Sequence, residues 1–333
     1  MKLSTIGEFG FINRIAPPFV KDLPKSVVGI GDDCAVLPWN NDTLLLVTTD
    51  MLIEDVHFLR AKIPPADLGY KSLAVNLSDI AAMGGIPSSA YISIGIPKDI
   101  DVEWLDEVYA GLYELACETQ VHLLGGDTTK SPTHLVINIA VIGYVKSSQV
   151  KYRSSALEGD IICVTDYLGD SGGGLKILLE NYEQDDNANE LIKRHHRPRA
   201  HLIEGQWLSK QKGVRAMMDV SDGIDSDLHR IMERSICGAE IYVEKLPISP
   251  ILKQVAERYN WDASEIAATG GEDYCLLVTI DKNCFEEVAI EFEKEFNRPL
   301  FEIGKITKAE SELVYLKNNQ PIKFGKHGYN HFG

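Results

Sequence analysis

The sequence predicts an α/β protein with mixed sheets, built from two domains. The chain has 333 residues, enough for about two domains with sizeable cores. Short runs rich in Val, Ile, Leu and Thr alternate with longer segments that carry apolar residues at helical spacing. A polar stretch at 146–159, KSSQVKYRSSALEG, precedes a new apolar run that begins at Asp160. We therefore expect an N-terminal domain over 1–150 and a C-terminal domain over 151–333.

In the first half, strands are expected where apolar runs are bounded by Gly, Pro or Asp. These runs cover 27–30, 35–37, 43–49, 89–96 and 134–144. A helix is expected after Pro64 and Pro65, where Leu73, Leu77 and Ile80 recur at helical spacing, and another over 102–119. The opposite face of the first helix is polar, with Ser72, Asn76 and Asp79.

The second half begins with a strand, a glycine-rich turn and a helix over 160–182. A charged helical stretch at 192–211 follows, and then an apolar run that ends in DVSDG at 219–223. Further elements are a helix over 224–234 and strands at 240–243, 274–280 and 312–316. The mixture indicates α/β structure with some antiparallel pairing.

Composition disfavours several classes of partner. Lys and Arg total 33 against 49 Asp and Glu, a formal net charge of -16, which disfavours binding to nucleic acid or to an anionic membrane. The six cysteines are widely spaced without a C-x-x-C, as is typical of a reducing compartment. We find neither a signal peptide nor an apolar run long enough for a membrane span, and expect a cytoplasmic protein.

Apolar runs that end in aspartate recur in both halves and carry most of the chemical information. They end at Asp50, at Asp127 after two glycines, and at Asp219 and Asp222. The segment GDD at 31–33 and Asp79 add to the series. Carboxylates at strand ends beside glycines suggest a divalent-metal and phosphate site, although any one of them could simply make a turn. We interpret Asp32 as such a turn residue, outside the site.

The common nucleotide motifs do not occur in the sequence: it has neither a P-loop nor G-x-G-x-x-G after a strand. The segment GDSGG at 169–173 fits G-x-S-x-G, so a serine hydrolase using Ser171, Asp219 and His327 is an alternative. The same segment could instead present backbone N–H groups to an anion or cap a helix. Two observations weigh against the hydrolase. The sequence has no HGGG-type oxyanion segment, and a hydrolase would leave the aspartate series unexplained.

The hard oxygen donors among these residues suit Mg²⁺ better than a transition metal. His195 and His196 are adjacent and cannot face one ion together on a helix, and no H-E-x-x-H occurs. Mg²⁺ binds few protein carboxylates and completes its shell with water and phosphate, which matches a nucleotide substrate. The candidate oxygen donors are Asp33, Thr49, Asp50, Asp79, Asp127 and Asp219.

The chain resembles the thiamine-monophosphate kinase family, of the superfamily of aminoimidazole ribonucleotide synthetase and selenophosphate synthetase. The matching segments occur in the family's order along nearly the whole chain. They are GIGDDCAVL (29–37), TTDMLIEDVHF (48–58), VNLSDIAAMGG (75–85), LLGGDTTKS (123–131), GDSGGGL (169–175), DVSDGIDSDL (219–228), GGEDY (270–274) and GYNHF (328–332). Selenophosphate synthetase is disfavoured, because the N-terminal Cys-Gly segment and following Lys that its chemistry requires are not seen.

The resemblance implies the two-domain aminoimidazole ribonucleotide synthetase-like architecture, with N-terminal domains paired in a homodimer. It implies transfer of a phosphoryl group from ATP to thiamine monophosphate, with several Mg²⁺ ions as cofactors. The implied metal ligands are Asp33, Thr48, Thr49, Asp50, Asp79, Asp127, Asp219 and Asp222. The implied ATP contacts are Tyr109, Gly126, Asp127, Arg153 and Ser221. The implied contacts with thiamine monophosphate are His57, Glu272 and Tyr329. No residue is assigned as a general base.

Two departures from the family pattern concern the acceptor side. Asp55 stands where the family usually has Gly before VHF, so the loop that bears His57 is expected to differ. Tyr329 and Asn330 replace the commoner Phe or Trp and Asp. Another ATP-dependent synthetase of the superfamily and a non-enzymatic nucleotide-binding regulator stay open alternatives.

Overall fold

The computed structural model describes residues 2–308, 312–325 and 328. Two sheets, each packed against helices, make up a mixed α/β fold, as the sequence predicts. Short 3₁₀ helices occur at Leu3–Thr5, Arg153–Ser155 and Val243–Lys245. In the described ranges, no helix is both long and apolar enough to cross a membrane.

The first sheet has five strands in the order β1-β2-β5-β3-β4. Their bounds are Ala35–Pro38 (β1), Thr43–Ile53 (β2), Ile86–Ile96 (β3), His122–Lys130 (β4) and Val136–Lys146 (β5). All neighbours run antiparallel except the parallel pair β3 and β4. The central strand β5 alternates buried with half-exposed side chains, because helices cover only one face of the sheet.

From residue 2 onward, this half contains the helices α1 (Gly7–Ile15), α2 (Pro17–Val20), α3 (Pro65–Ala82) and α4 (Val102–Thr119). α3 and α4 cross at very close range. A Cβ on Gly69 would lie 1.8 Å from the Val108 carbonyl oxygen, and one on Gly111 would lie 1.7 Å from that of Ala66. Glycine at these two positions therefore lets the helix backbones touch.

In the part of the chain that the structure describes, the second sheet has seven strands in the order β12-β11-β8-β10-β6-β9-β7. Their bounds are Ile161–Val164 (β6), Val214–Asp219 (β7), Gly238–Tyr242 (β8), Leu276–Ile280 (β9), Phe301–Thr307 (β10), Leu313–Lys317 (β11) and Gln320–Ile322 (β12). Neighbours run antiparallel except the parallel pair β8 and β11. β7 forms one edge of this sheet, so the loop after Asp219 lies at the sheet's margin.

The described residues of the second half contain seven helices. They are α5 (Asp170–Glu180), α6 (Asp186–His196), α7 (Leu202–Leu208), α8 (Ile224–Ser235), α9 (Pro250–Tyr259), α10 (Ala263–Thr269) and α11 (Phe285–Phe296). The charged stretch expected as one helix over 192–211 is divided between α6 and α7. Pro198 explains the break, because proline disfavours helix at the residue before it and cannot donate a backbone hydrogen bond.

α3 lies at the junction of the two halves. It packs on β2 and β5 of its own sheet and also contacts β7 and α7 of the second half. Most of its side chains are buried, including the polar ones Lys71, Ser72 and Asn76. One hydrophobic core therefore continues from the first sheet to residues of β7 and β9, and a second core lies around α8 and β8.

Candidate active site at the domain junction

A cleft of about 520 Å³ opens where the two halves meet. Its walls come from β2, the end of α3, the loop after β7 and the segment that precedes β9. It gathers eleven of the residues expected from the sequence, namely Asp33, Thr48, Thr49, Asp50, His57, Asp79, Arg153, Asp219, Ser221, Asp222 and Glu272. Residues far apart in the sequence thus share one cavity.

β2 and α3 meet through hydrogen bonds between polar side chains and the strand. Thr48 Oγ1 donates to Asp79 Oδ2, and the backbone N–H of Asp50 donates to Asn76 Oδ1 at 3.0 Å. Asn76 Nδ2 donates in turn to the Ser72 carbonyl oxygen at 3.2 Å. The polar stripe on α3 is therefore buried against β2, where it fixes the strand end beside the cleft.

Three carboxylates form the centre of the cleft. One oxygen from each of Asp33, Asp79 and Asp219 lies within 4.8 Å of the others. Asp219 ends β7 in the second half, and its Oδ2 accepts a hydrogen bond from Ser78 Oγ of α3 at 2.6 Å. The cluster therefore draws ligands from both halves of the chain.

Burial and mutual repulsion raise the proton affinity of these acids. Burial, with the nearby charge of Asp33, raises the pKa of Asp219 to about 7. Burial and the charges of Asp33 and Asp222 raise the pKa of Asp50 to about 6. Burial, then Asp50 and Asp219, raise the pKa of Asp79 well above its usual range. Such acids favour the binding of a compensating cation.

The donor set fits a hard divalent cation such as Mg²⁺. Its members are carboxylate oxygens held close together, with neither thiolate nor imidazole among the three. Three carboxylates leave coordination positions for water and phosphate, which Mg²⁺ usually retains.

Arg153 lies over the same acids. Its Nη2 donates to Asp33 Oδ1 at 2.5 Å and its Nε to Asp33 Oδ2 at 3.2 Å, a two-pronged pairing. Burial disfavours the charged guanidinium, but the charge and hydrogen bonds of Asp33 prevail and raise the pKa of Arg153. Arg153 therefore supplies a fixed positive charge next to the carboxylates.

Asp32 and Asp227 also line the cleft, although sequence reasoning left Asp32 out and did not consider Asp227. Asp32 Oδ1 accepts the backbone N–H of Arg153 at 3.2 Å, and burial together with Asp33 raises the pKa of Asp32 to about 7. Asp227 is buried and accepts the backbone N–H of Asp222. The available sequence signals were the doubled aspartate in GDD and the fourth aspartate in DVSDGIDSD.

Glu272 reaches the cleft from a tight loop. Its φ is +65°, a left-handed conformation that is uncommon outside glycine, and its N–H donates to the Ser221 carbonyl oxygen at 2.7 Å. A Cβ on the preceding Gly271 would lie 2.6 Å from that same oxygen. Glycine there lets the GGEDY segment approach the DVSDG loop and places Glu272 on the cleft wall.

His57 lies on the loop after β2. Its Nδ1 accepts the backbone N–H of Ile53 at 3.0 Å, which leaves the ring proton on Nε2. Asp55 has a φ of +65°, a conformation that glycine adopts freely and aspartate tolerates. Asp55, which stands where the family usually has Gly, therefore adopts a backbone conformation that glycine could also take.

Three of the expected residues do not line this cleft. Asp127 and Gly126 are exposed on β4, and Tyr109 packs on α4 against the first core. Asp127 lines a second depression of about 570 Å³ on the uncovered face of the first sheet. Thr49 and Met51 line both cavities, so β2 separates them. Tyr329, like His327 and Asn330, lies outside the described residues.

The GDSGG segment has a structural role in this chain. The N–H groups of Gly169 and Ser171 donate to the Asp273 carboxylate at 2.6 and 3.2 Å, so a side chain occupies the anion position at the start of α5. Ser171 is 1% exposed, and its Oγ lies 3.1 Å from His195 Nδ1. Asp219 pairs with Ser78 instead. The serine hydrolase triad therefore does not form among the described residues.

Comparison with known proteins identifies relatives over nearly the whole chain. The family model for the N-terminal domain of AIR synthase related protein matches residues 31–145, and the model for its C-terminal domain matches 158–317. Thiamine-monophosphate kinase from Escherichia coli (strain K12) is 37% identical, with 98% of each chain covered. That of Aquifex aeolicus is 38% identical, with 100% of each chain covered.

Solved structures agree with this result. A structure described as AaThiL complexed with AMPPCP and TMP has a TM-score of 0.86 and 34% identity, with 99% of each chain covered. Thiamine-monophosphate kinase from Stenotrophomonas maltophilia has a TM-score of 0.75 and 32% identity, covering 92% of this chain and 96% of that one. The fold is thus that of these relatives.

Proposed function

The chain belongs to the AIR synthase related family and, within it, to the thiamine-monophosphate kinases, and we propose that it transfers the γ-phosphoryl group of ATP to thiamine monophosphate. The products are thiamine diphosphate and ADP. The single observation that carries this proposal is the cluster of Asp33, Asp79 and Asp219, which joins both halves of the chain beside a charged arginine.

Mg²⁺ would be held by the carboxylates and hydroxyls around this cluster. We assign Asp33, Thr48, Thr49, Asp50, Asp79, Asp219 and Asp222 to this role, with Asp127 as a further candidate from β4. Bound there, Mg²⁺ would neutralise charge on both phosphate-bearing substrates and on the leaving oxygen. The raised pKa values of Asp50 and Asp219 support this assignment, because crowded acids favour a cation.

ATP would lie on the arginine side of the cleft. Arg153 and Ser221 line the cavity and offer a guanidinium and a hydroxyl to phosphate oxygens. Gly126, Asp127 and Tyr109 stay predictions as ATP contacts, since Asp127 faces the second depression, across β2 from the cleft. A nucleotide that reaches over Thr49 would connect the two cavities.

Thiamine monophosphate would lie toward His57 and Glu272. The cleft is also lined by apolar side chains from the loop after β2 and from α5, which suit an aromatic ring system. They are Phe58, Leu59, Ile63, Leu175, Leu178 and Leu179. Lys62 Nζ binds the Leu178 carbonyl oxygen and thus ties this loop to α5. Tyr329 stays a prediction, as it lies outside the described residues.

The acceptor is a phosphate oxygen that is already anionic at neutral pH, so no general base is required. The chain's own contribution is to hold two anionic groups together against their repulsion. Arg153 does so with a fixed charge, and hydrogen bonds from Thr48 to Asp79 and from Ser78 to Asp219 keep these carboxylates in position. Direct transfer without a phosphoenzyme is the simplest scheme.

We place the domain boundary near residue 150 and propose a homodimer through the uncovered face of the first sheet. Apolar side chains lie on that face at paired positions of β2, β3 and β5, with Val47 opposite Ile142 and Tyr91 opposite Ala140. Such a face favours burial against a second copy. The substitution Ile142→Lys would convert the dimer to a monomer in sedimentation, whereas an unchanged mass would exclude this face.

Net charge and cysteine content support a proposal for the localisation and for the classes of partner. We propose a cytoplasmic enzyme without nucleic-acid or membrane partners, supported by the net charge of -16 and by six free cysteines. Two small phosphorylated molecules, ATP and thiamine monophosphate, are then its principal partners.

The function is tested by incubating the purified chain with ATP, MgCl₂ and thiamine monophosphate and separating the products by chromatography. We expect thiamine diphosphate and ADP in equal amounts, and neither with chelator present. Unphosphorylated thiamine is the matched control acceptor and yields no monophosphate. ADP formation that does not depend on thiamine monophosphate would refute the proposal.

A further inference from the structure

Lys71 is a buried cation at the junction that none of the roles above uses. It lies on α3 with a side-chain exposure of 0%, so its ammonium cannot touch a ligand in the open cleft. Burying a lysine is costly unless a negative charge pairs with it. Its Nζ lies 2.9 Å from Glu272 Oε1, and this ion pair joins α3 to the GGEDY loop of the second half.

Glu272 is held at its second oxygen as well. Glu272 Oε2 lies 3.2 Å from His195 Nδ1, and the same nitrogen lies 3.1 Å from Ser171 Oγ. Burial, then the positive charges of Lys71 and His196, lower the pKa of His195 well below its usual range. His195 is therefore a neutral ring, and the positive charge that faces Glu272 comes from Lys71.

The Glu272 side chain is 21% exposed, so part of it reaches the cleft while both oxygens face buried partners. The left-handed backbone at Glu272 is strained and persists only where the surroundings fix it. The Ser221 carbonyl fixes the backbone, and Lys71 with His195 fixes the carboxylate. The whole arrangement orients one cleft-wall carboxylate.

We propose that Lys71 is a positioning residue for acceptor recognition, which acts through Glu272 by holding its side chain in place on the cleft wall that faces thiamine monophosphate. This inference rests on the proposed function and adds a determinant of acceptor affinity on α3. ATP affinity is independent of Lys71, because the ammonium is buried and pairs with Glu272 rather than with the aspartate cluster.

The test compares four variants in steady-state kinetics with each substrate varied in turn. They are Lys71→Met, Glu272→Gln, the double variant Lys71→Met/Glu272→Gln, and Arg197→Met. Arg197 is the matched control, because its guanidinium also crosses the junction, to Asp67 on α3 at 3.0 Å, but does not line the cleft. Thermal unfolding is recorded for each protein.

For Lys71→Met we expect the KM for thiamine monophosphate to rise roughly tenfold or more, because the change removes one partner of a buried charge pair. The KM for ATP should stay within about twofold of the wild-type value. In the double variant, the KM for thiamine monophosphate stays within about twofold of that for Glu272→Gln, because Lys71 acts only through Glu272. The double variant also removes both charges and so avoids an unpaired buried carboxylate. Arg197→Met leaves both KM values near those of the wild type.

Three results overturn the inference. The first is that Lys71→Met changes only the melting temperature, and the second is that it raises the KM for ATP together with the KM for thiamine monophosphate. The third is that the double variant has a clearly higher KM for thiamine monophosphate than Glu272→Gln. Wild-type turnover with thiamine monophosphate is measured first. An inactive wild type overturns the proposed function along with the inference, whereas an active wild type with an unaltered Lys71→Met variant overturns the role of Lys71 alone.

Discussion

Ser78 Oγ on α3 donates a hydrogen bond of 2.6 Å to Asp219 Oδ2 at the end of β7, across 141 positions of sequence. Both residues are buried, at 0% and 2% exposure. The next residue on α3, Asp79, lies in the carboxylate cluster with Asp219. One turn of helix therefore holds a carboxylate of the second half beside a carboxylate of the first.

Asp79→Asn should abolish most activity without loss of fold. We expect turnover to fall by roughly two to three orders of magnitude, because the change removes a charge from the proposed Mg²⁺ site. The melting temperature in chelator should equal or exceed that of the wild type, since the pKa of Asp79 shows that burial and repulsion oppose its ionisation. Kinetics at saturating Mg²⁺ and thermal unfolding measure the two effects.

The matched control is Asp42→Asn, on an exposed turn before β2. It should leave turnover and melting temperature unchanged. Near-normal turnover of Asp79→Asn at saturating Mg²⁺ would remove Asp79 from the metal site.

Arg153→Lys should impair the use of ATP while preserving the charge. Lysine cannot reproduce the two-pronged pairing with Asp33, so we expect the KM for ATP to rise by roughly tenfold. The KM for thiamine monophosphate should change little. Initial-rate kinetics with each substrate varied separate the two, and a change confined to thiamine monophosphate would contradict the assignment.

Ser171→Ala should be mild. The hydroxyl is buried against His195 and lies outside the carboxylate cluster, so turnover should stay within a few-fold of wild type. The lost hydrogen bond should lower the free energy of unfolding by about 1 kcal/mol. Denaturant unfolding and the kinase assay check both values. Complete inactivation would revive a catalytic role for this serine.

His196→Leu should make stability less dependent on pH in the acid range. Burial, together with the charge of Lys71, lowers the pKa of His196 from 6.5 to about 4. Between these values the unfolded state binds the proton that the folded state excludes, so the free energy of unfolding falls as pH drops from 6.5 to 4. Leucine removes this contribution.

Denaturant unfolding of both proteins at pH 7 and at pH 5 provides the comparison. The wild type should lose more stability over this interval than His196→Leu. Equal losses would show that His196 is protonated in the folded protein.

Local patterns predicted much of this fold. Helices α3 and α4 begin at the expected positions, since their apolar spacing and flanking residues are strong signals. The strand expected at 27–30 contributes only an isolated bridge between Val28 and Val36. This run is short, contains Gly29 and is followed by Gly31, so its pairing depends on tertiary contacts that local sequence does not encode.

Local sequence patterns also predicted part of the candidate site. Aspartates that end apolar runs can be found in the sequence, and most of them meet in the cleft. Lys71 could not be found in this way, because a lysine on a helix is usually solvated. Its importance comes from Glu272, 201 positions away, and only the packing of α3 against the second half brings the two together.

The central claim is direct phosphoryl transfer at a site shared by the two halves of the chain. It is tested most directly by a single-turnover experiment with γ-labelled ATP and excess thiamine monophosphate, run on the wild type, Asp79→Asn and Asp219→Asn. We predict that wild-type label passes straight into thiamine diphosphate, and that both variants, one from each half, lose this transfer. Label that first resides on the protein and then chases into product would contradict direct transfer. Transfer at the wild-type rate by Asp219→Asn would contradict a site shared by the two halves.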